Sequence, residues 1–148
     1  MSTGKSLPRE RLDEVLAVFA QLNSEHLAQD LQRIFHPDAE FKDPFNHVTG
    51  VAAIEQIFAH GFKQCPTMRF VVQHAACHQY KAYVHWCFQC QPDNPQGLQI
   101  DGVSILLFDA QGRVVCHHDY WDPAEQLYSR VPVLAGLLRW IKKRLQAG

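Results

Sequence analysis

The sequence predicts one α+β domain in which three helices come first and a curved, mostly antiparallel sheet follows. Two observations carry this prediction. Apolar residues recur at helical spacing as far as Phe62, and from Met68 onward four segments are rich in β-branched and aromatic residues. Helices followed by consecutive strands are typical of α+β proteins, in which one layer of helices packs on one sheet.

The first half of the chain has the signals of three amphipathic helices. The first spans residues 8–22, and the second begins at Ser24 and ends before residues 36–38. A short extended segment, residues 39–45, and a turn lead to the third helix, which follows Gly50. The predicted inward residues are Leu12, Val15, Leu16, Phe19, Leu22, Leu27, Leu31, Ile34, Phe35, Ile54, Ile57, Phe58 and Phe62.

The second half of the chain predicts a meander of four antiparallel strands and a closing helix. The strands span residues 68–78, 82–91, 98–108 and 114–121. Residues 122–125, Asp-Pro-Ala-Glu, then combine a capping side chain with proline at the first helical position and glutamate at the third. Pro132 must kink or restart the helix that follows.

Composition narrows the class of protein and its partners. The 148 residues, of which 47% are hydrophobic, suit one core, so we expect a single domain over residues 1–148. A balance of 14 basic against 15 acidic residues argues against nucleic acid as a partner. The sequence starts without the apolar run of a signal peptide and offers no membrane span. We therefore expect a cytoplasmic protein.

The cysteine pattern predicts reduced thiols, no disulfides and no metal site. Five cysteines form an odd set without framework spacing. Cys87 and Cys90 have the spacing of a metal knuckle, as does the neighbourhood of His74, Cys77 and His78. Residues three apart on a strand face opposite sides, however, so Cys87 and Cys90 cannot chelate one ion unless this segment is a turn. We expect neither a metal nor a cofactor.

The order helix, helix, short strand, helix, meander resembles that of the nuclear transport factor 2-like superfamily. Residues 41–45, Phe-Lys-Asp-Pro-Phe, and the helix start at residues 50–54 carry the resemblance, together with residues 108–115 and 119–122. Ketosteroid isomerases, scytalone dehydratase and SnoaL-like polyketide cyclases share this fold, and the ending is most similar to the SnoaL-like branch. The resemblance implies a cone-shaped α+β barrel with one pocket between the helices and the curved sheet.

The resemblance also implies a catalytic aspartate. Asp43 matches the general base of ketosteroid isomerases, although it can instead order its own Asp-Pro turn. In those isomerases a tyrosine and a protonated aspartic acid meet the enolate oxygen, and these fall near Val18 and Ser104 here. Neither residue is an equivalent donor, so we do not expect steroid isomerisation by that mechanism.

The last predicted strand carries a second candidate group. Its two-residue period places His117, Asp119 and Trp121 on one face, and the resemblance places that face in the pocket. Asp119 can hold the imidazole of His117 in one tautomer, as in many acid/base pairs. The alternative is a satisfied polar pair at the rim of the pocket.

Aromatic residues are the candidate walls of the pocket, or simply core. His85 and Trp86 lie on opposite faces of one strand, and the sequence does not decide which face looks into the cone, so both are candidates. The candidate ligand contacts are Phe45, Phe58, Phe62, His85, Trp86, Ser104 and Trp121.

Together these features predict cofactor-independent acid/base catalysis on a small apolar metabolite that carries a carbonyl or hydroxyl group. Asp43 would be the base, and His117, oriented by Asp119, the acid or second base. Isomerisation, cyclisation and dehydration all fit. The alternative is a non-catalytic ligand-binding or dimerisation module of the same fold.

Two surfaces suggest further partners. The strand at residues 98–108 is apolar on both faces, and members of the superfamily commonly dimerise through the outer face of the sheet, so we expect a homodimer. Residues 131–145 predict a basic amphipathic helix. We expect its apolar side to pack on the domain and its cations to be solvated, with contact to a membrane surface as the lesser alternative.

Overall fold

The computed structural model describes residues 5–146, apart from the side chain at position 129. Residues 1–4 and 147–148, the two ends of the predicted domain, lie outside the described residues. The elements in chain order are α1 (Arg9–Ala20), α2 (Leu27–Ile34), β1 (Phe35–Lys42), β2 (His47–Thr49), α3 (Val51–Gln64), β3 (Arg69–His78), β4 (Lys81–Gln89), β5 (Gln99–Phe108), β6 (Val114–Tyr120), α4 (Pro123–Gln126), a 3-10 turn (Tyr128–Arg130) and α5 (Pro132–Leu145). This order confirms the predicted α+β class.

The six strands form one sheet in the order β2-β1-β6-β5-β4-β3. The strands β3 to β6 form the predicted antiparallel meander. β1 comes from the first half of the chain, pairs in parallel with β6 and carries β2 on its other side. This pairing places Phe41 beside His117, and it therefore brings the segment around Asp43 next to the last strand.

The sheet departs from the prediction at β1 and β2. We predicted an extended segment only from Ala39, because proline ends helices, whereas β1 begins at Phe35 directly after α2. Pro37 is tolerated because the pairing of β1 with β6 is irregular between Phe35 and Glu40, where a missing N–H disrupts no regular ladder. The predicted turn before α3 contains the three-residue strand β2.

The core lies between the helices and the concave face of the sheet. α1, α2 and α3 each bury one apolar stripe, as their spacing predicted, and alternate residues of β4, β5 and β6 face these stripes. The buried residues include Leu12, Val15, Phe19, Leu27, Leu31, Ile34, Ile54, Phe58 and Phe62 from the helices and Val84, Trp86, Ile100, Leu106, Phe108 and Val114 from the sheet.

Arg11 ties the helical layer to the turn between β5 and β6. Its guanidinium donates to the carbonyl oxygens of Gly112 (2.7 Å) and Arg33 (3.0 Å). Gly112 has a φ of 79°, a left-handed conformation that favours glycine.

Asp109 closes the same turn. Burial raises the pKa of its carboxyl group, but hydrogen bonds from the backbone and guanidinium of Arg113 outweigh burial and lower the pKa overall.

The C-terminal segment has the predicted start and the predicted interruption. The Asp122 side chain caps α4 by accepting hydrogen bonds from the backbone N–H groups of Ala124 and Glu125. Pro132 then starts a new helix, α5. No helix within residues 5–146 is long and apolar enough to cross a membrane.

The packing of α5 corrects a prediction. Ala135 is buried, whereas most of the apolar side of the helix is exposed to solvent. The exposed residues are Val133, Leu134, Leu137, Trp140, Ile141 and Leu145. The expectation that this side packs on the domain is wrong, because α5 makes its main contacts with the 3-10 turn that precedes it.

A disulfide between Cys65 and Cys90 corrects the prediction of reduced thiols. Cys65 ends α3 and Cys90 follows β4, and their Cα atoms lie 6.0 Å apart. The spacing of these cysteines in the sequence does not reveal the pair, because it forms only where the end of α3 packs against the end of β4. Cys77, Cys87 and Cys116 are free thiols.

Candidate functional site

A cavity of about 420 Å³ lies between α1, α3 and the concave face of the sheet. Its size suits a small organic ligand, and most of its lining is apolar. The lining residues are Leu16, Phe19, Phe41, Asp43, Phe45, Ile57, Phe58, Gly61, Gln64, Cys65, Met68, Phe70, Val72, Val84, Trp86, Phe88, Cys90, Leu98, Ile100, Ser104, Leu106, His117, Asp119 and Trp121. The cavity is therefore an apolar space with a few polar groups at defined positions.

Four polar side chains from three adjacent strands form a connected strip on the cavity wall. Trp86 Nε1 donates to Ser104 Oγ (2.8 Å), and Ser104 Oγ donates to Asp119 Oδ1 in a short hydrogen bond. His117 Nε2 lies 2.6 Å from the same Asp119 oxygen. Ser104 and Asp119 are direct partners in the β5–β6 ladder, which explains why side chains distant in sequence meet here.

His117 is held in an aromatic box. The ring centroids of Phe19, Phe35 and Phe41 lie 5.3, 6.0 and 4.8 Å from that of His117, and the residue is only 5% exposed. Its Nδ1 is buried without a hydrogen-bond partner among the described residues. Nε2–H donates to Asp119, because the carboxylate oxygen is an acceptor at hydrogen-bond distance from this nitrogen.

Asp119 is held through only one of its two carboxylate oxygens. Its Oδ1 accepts from Ser104 and His117, whereas Oδ2 makes no hydrogen bond within residues 5–146. Asp119 lines the cavity and also a second, smaller depression beside Lys42 and Pro44. A carboxylate held by one oxygen and open at the other can accept a proton from a ligand.

Asp43 is bonded to the turn that follows it. Its Oδ1 accepts hydrogen bonds from the backbone N–H groups of Phe45 (2.8 Å) and Asn46 (2.6 Å). The side-chain amide of Asn46 lies 3.1 Å from each of its carboxylate oxygens. Asp43 lines the cavity, but these bonds favour the alternative in which it orders the turn between β1 and β2.

The mouth of the cavity is aromatic. The Phe45 ring contacts those of Trp121 and Tyr128, with centroids 5.7 and 6.3 Å apart. Phe45 is half exposed, because it sits on the turn that Asp43 orders. Phe45 and Trp121, two of the predicted ligand contacts, both line the cavity.

Two predicted contacts lie outside the cavity. His85 is on the outer face of β4, where its Nε2 bonds to Asp101 Oδ1 at 2.7 Å, because the strand turns Trp86 inward instead. This placement corrects the assignment of His85 to the pocket. Phe62 is packed in the core one turn beyond Phe58, which does line the cavity, so the assignment of Phe62 is also corrected.

Most of the lining residues were not predicted as site residues, and three of them bear on the polar strip or the end of the cavity. Phe19 and Phe41, at the wall around His117, and Gln64, at the end of α3, line the cavity. The spacing of Phe19 on α1 marked it as inward, which could have identified it. Nothing in the sequence distinguishes Gln64, which is exposed and reaches the cavity only because α3 ends there.

Gly102 makes room for Trp86. The two residues are partners in the β4–β5 ladder, and a Cβ atom at position 102 would come within 2.5 Å of Trp86 Cζ2. We expect Gly102→Ala to lower the free energy of unfolding by about 1–3 kcal/mol, because the buried indole must move. Urea unfolding followed by tryptophan fluorescence measures this.

The matched control for that change is Gly136→Ala on α5. A Cβ atom there would meet nothing closer than 3.8 Å, so this variant should be at least as stable as the wild type. Equal stability of the Gly102 variant and the wild type would contradict the position of the indole over β5.

A second polar cluster lies on the outer face of the sheet, behind the strip. Glu40 on β1 accepts from His47 on β2 (2.7 Å) and from His118 on β6 (3.1 Å), and Cys116 Sγ lies 3.2 Å from His118 Nε2. The hydrogen bonds from His47 and His118 lower the pKa of Glu40. Burial, followed by the charge of Glu40, raises the pKa of the Cys116 thiol.

The cone of helices on a curved sheet, with a cavity between the two layers, defines the nuclear transport factor 2-like class predicted from the sequence. Within this class, the chain belongs to the SnoaL-like family, because the family model described as a SnoaL-like domain matches residues 13–117. Comparison with curated proteins finds no match.

Solved structures with this fold include proteins of proposed activity. A proposed SnoaL-like polyketide cyclase from Jannaschia is 16% identical and aligns over 82% of this chain and 90% of its own, with a TM-score of 0.65. AclR, a proposed hydroxylase from Streptomyces galilaeus, is 18% identical over 94% and 98%, also with a TM-score of 0.65. A proposed isomerase of the SnoaL-like family from Agrobacterium tumefaciens is 17% identical over 76% and 95%, with a TM-score of 0.64. At these identities the similarity shows the fold.

Proposed function

We propose that this protein binds a small, mostly apolar metabolite with a carbonyl or hydroxyl group and transfers a proton on it through Asp119, without a cofactor. The observation that carries the proposal is the position of Asp119. One carboxylate oxygen is fixed by Ser104 and His117, and the other is open at the end of an apolar cavity. A preorganised base in an apolar site is suited to proton abstraction from carbon.

The proposed chemistry begins with a C–H bond next to the ligand's carbonyl group. Asp119 Oδ2 takes the proton, and the electron pair of the broken bond moves to the carbonyl oxygen as an enolate. Return of this proton from Asp119 to a carbon conjugated with the enolate gives an isomer. Attack of the enolate on a second carbonyl carbon gives a ring, and the proton then goes to the new alkoxide oxygen. Loss of a hydroxyl group from the β carbon gives a dehydrated product, and the proton on Asp119 leaves with that group as water. His117 and Ser104 act as positioning residues, because they bond to the carboxylate oxygen that does not react.

The family supports this class of reaction. The names of two structural neighbours include an isomerase and a polyketide cyclase, and removal of a proton next to a carbonyl group is one route to either kind of reaction. The aromatic lining, with Phe58, Trp86 and Trp121, suits a flat or elongated ligand.

The competing function is non-catalytic binding, and one observation favours it. The polar strip is largely satisfied by its own hydrogen bonds, since Trp86, Ser104 and His117 all point their donors at each other or at Asp119. Such a strip can have a purely structural role, in which its side chains satisfy one another's hydrogen bonds along the cavity wall. Proton transfer from a bound probe separates the two functions, because only the catalytic function requires it.

Ligand binding itself is tested with the purified protein. Native mass spectrometry, followed by extraction, identifies any small molecule that copurifies. Titration with β-naphthol is expected to quench the fluorescence of Trp86 and Trp121 with one site per chain, and to do so equally in a Trp140→Phe control, since Trp140 lies on α5 and does not line the cavity. Absence of saturable quenching would contradict an accessible apolar cavity.

We also propose a homodimer formed through the outer face of the sheet. Apolar side chains on adjacent strands are partly exposed there, including Val71, Tyr83, Val103, Leu107 and Tyr120.

The cytoplasmic location remains a proposal as well. It no longer draws support from reduced thiols, because Cys65 and Cys90 are paired.

A further inference from the structure

We propose that Glu40, Cys116 and His118, with His47 as a fourth ligand, form a binding site for Zn²⁺ on the outer face of the sheet. This site is separate from the cavity. Successive residues of a strand face opposite sides, so Cys116 and His118 point outward from β6 while His117 and Asp119 point inward. The proposal does not depend on the proposed function.

The ligand atoms are already close to the separations that a metal requires. One atom each from Glu40, Cys116 and His118 lie within 4.8 Å of one another. Glu40 Oε1 is 3.1 Å from His118 Nε2, and Cys116 Sγ is 3.2 Å from the same nitrogen. Ligand atoms of a tetrahedral zinc ion with bonds of about 2.0–2.3 Å are separated by about 3.3–3.7 Å. The two separations at His118 Nε2 therefore lie within a few tenths of an ångström of those that a bound ion requires.

His47 supplies the fourth ligand. Its Nε2 lies 2.7 Å from Glu40 Oε1, and its ring centroid is 6.5 Å from that of His118. The ring is more than half exposed, so rotation toward the ion meets little resistance. A set of one thiolate, two imidazoles and one carboxylate is typical of zinc among the common divalent ions, because magnesium and calcium prefer oxygen alone.

The four residues meet because three strands are adjacent. Glu40 pairs with Cys116 across the parallel β1–β6 ladder, and Lys42 pairs with both His118 and His47. Lys42 shares this face, but it is exposed and makes no ion pair within residues 5–146. The flexible side chain of Lys42 can therefore turn away from a bound cation.

An ion at this position would fasten β2 to β1 and β6. β2 is a three-residue edge strand, and it follows the turn ordered by Asp43 at the mouth of the cavity. Short edge strands have little stability of their own. Bound zinc would therefore act as a structural clamp for the mouth, and it should stabilise the folded protein.

Titration of the chelator-treated protein with Co²⁺ tests the site, because cobalt occupies zinc sites and reports its ligands optically. We expect saturation at one ion per chain, the visible bands of a tetrahedral ion, a near-ultraviolet thiolate-to-cobalt band, and displacement by Zn²⁺. Zn²⁺ should also raise the unfolding temperature of the wild type. Cys116→Ser should abolish the thiolate band. His118→Gln should weaken binding by more than about 100-fold, because loss of a residue that only supports a metal ligand already costs about 10- to 100-fold.

The matched control is Cys87→Ser, which removes another partly exposed free thiol from the outer face of the sheet. It should leave the spectrum and the affinity unchanged. Circular dichroism shows whether each variant is folded. If the Cys116 variant does not fold, the His118 variant still tests the site. Absence of the thiolate band in the wild type, or its loss in the Cys87 variant alone, would overturn the proposal.

Discussion

Replacement of Asp119 by asparagine should lower the kcat for proton abstraction from carbon by about 100- to 10,000-fold, the range typical of a lost general base. The amide keeps the shape of the side chain, and its oxygen can still accept from Ser104 and His117. The group that faces the cavity becomes an amide, which takes up no proton at neutral pH. Ligand affinity should therefore change much less than turnover.

The rate can be measured without the natural substrate. Nitrobenzisoxazole opens its ring when a base removes one C–H proton, and its flat apolar body suits the cavity. The wild type should accelerate this reaction with saturation kinetics, and Asp119→Asn should not.

Asp43→Asn is the matched control for this prediction. The amide in this variant keeps an oxygen that can accept the hydrogen bonds from the backbone of Phe45 and Asn46, so the turn should persist. Its kcat should stay close to that of the wild type. Loss of activity in the Asp43 variant together with normal activity in the Asp119 variant would make Asp43 the base, as the resemblance to ketosteroid isomerases implied.

Loss of the Cys65–Cys90 disulfide should produce the largest change in stability. The bond closes a loop with a sequence separation of 25, which corresponds to about 3.5 kcal/mol in the free energy of unfolding when the unfolded chain is treated as a flexible polymer. We expect the double variant Cys65→Ser, Cys90→Ser to lose this amount in urea unfolding. Reductant should lower the stability of the wild type to the same level.

Removal of a free thiol provides the control for the disulfide. Cys77→Ser leaves the pair intact, so its stability and its response to reductant should match those of the wild type. The double variant should not respond to reductant. Alkylation and intact-mass measurement of the unreduced protein should find three reactive thiols, Cys77, Cys87 and Cys116, and alkylation of all the cysteines would refute the bond.

Local signals in the sequence were sufficient to predict the elements that are determined by residues close to one another in the chain. Helical spacing identified the inward faces of α1, α2 and α3, and the residues Asp122 and Pro123 marked the start of α4. Alternation in β6 placed His117 and Asp119 on one face. These features follow from backbone periodicity and capping, which act over a few residues.

Features that depend on the register between strands could not be predicted in the same way. A shift of one residue would exchange His85 and Trp86 between the two faces of β4, and only pairing with β5 fixes their direction. The pair Ser104 and Asp119 likewise depends on the β5–β6 ladder. The role of Asp43 was open because its partner, the backbone of Asn46, is defined only by the folded turn.

Deuterium exchange is the sharpest test of whether a ligand in the cavity loses a proton from carbon. β-Tetralone in D₂O exchanges the protons next to its carbonyl group, and mass spectrometry follows the uptake of deuterium. We expect the wild type to accelerate this exchange with saturation, and Asp119→Asn to reduce the rate to that of buffer while Asp43→Asn does not. Exchange at the rate of buffer in the wild type, with the ketone shown to be bound, would contradict the proposed proton transfer and make the protein a binding module.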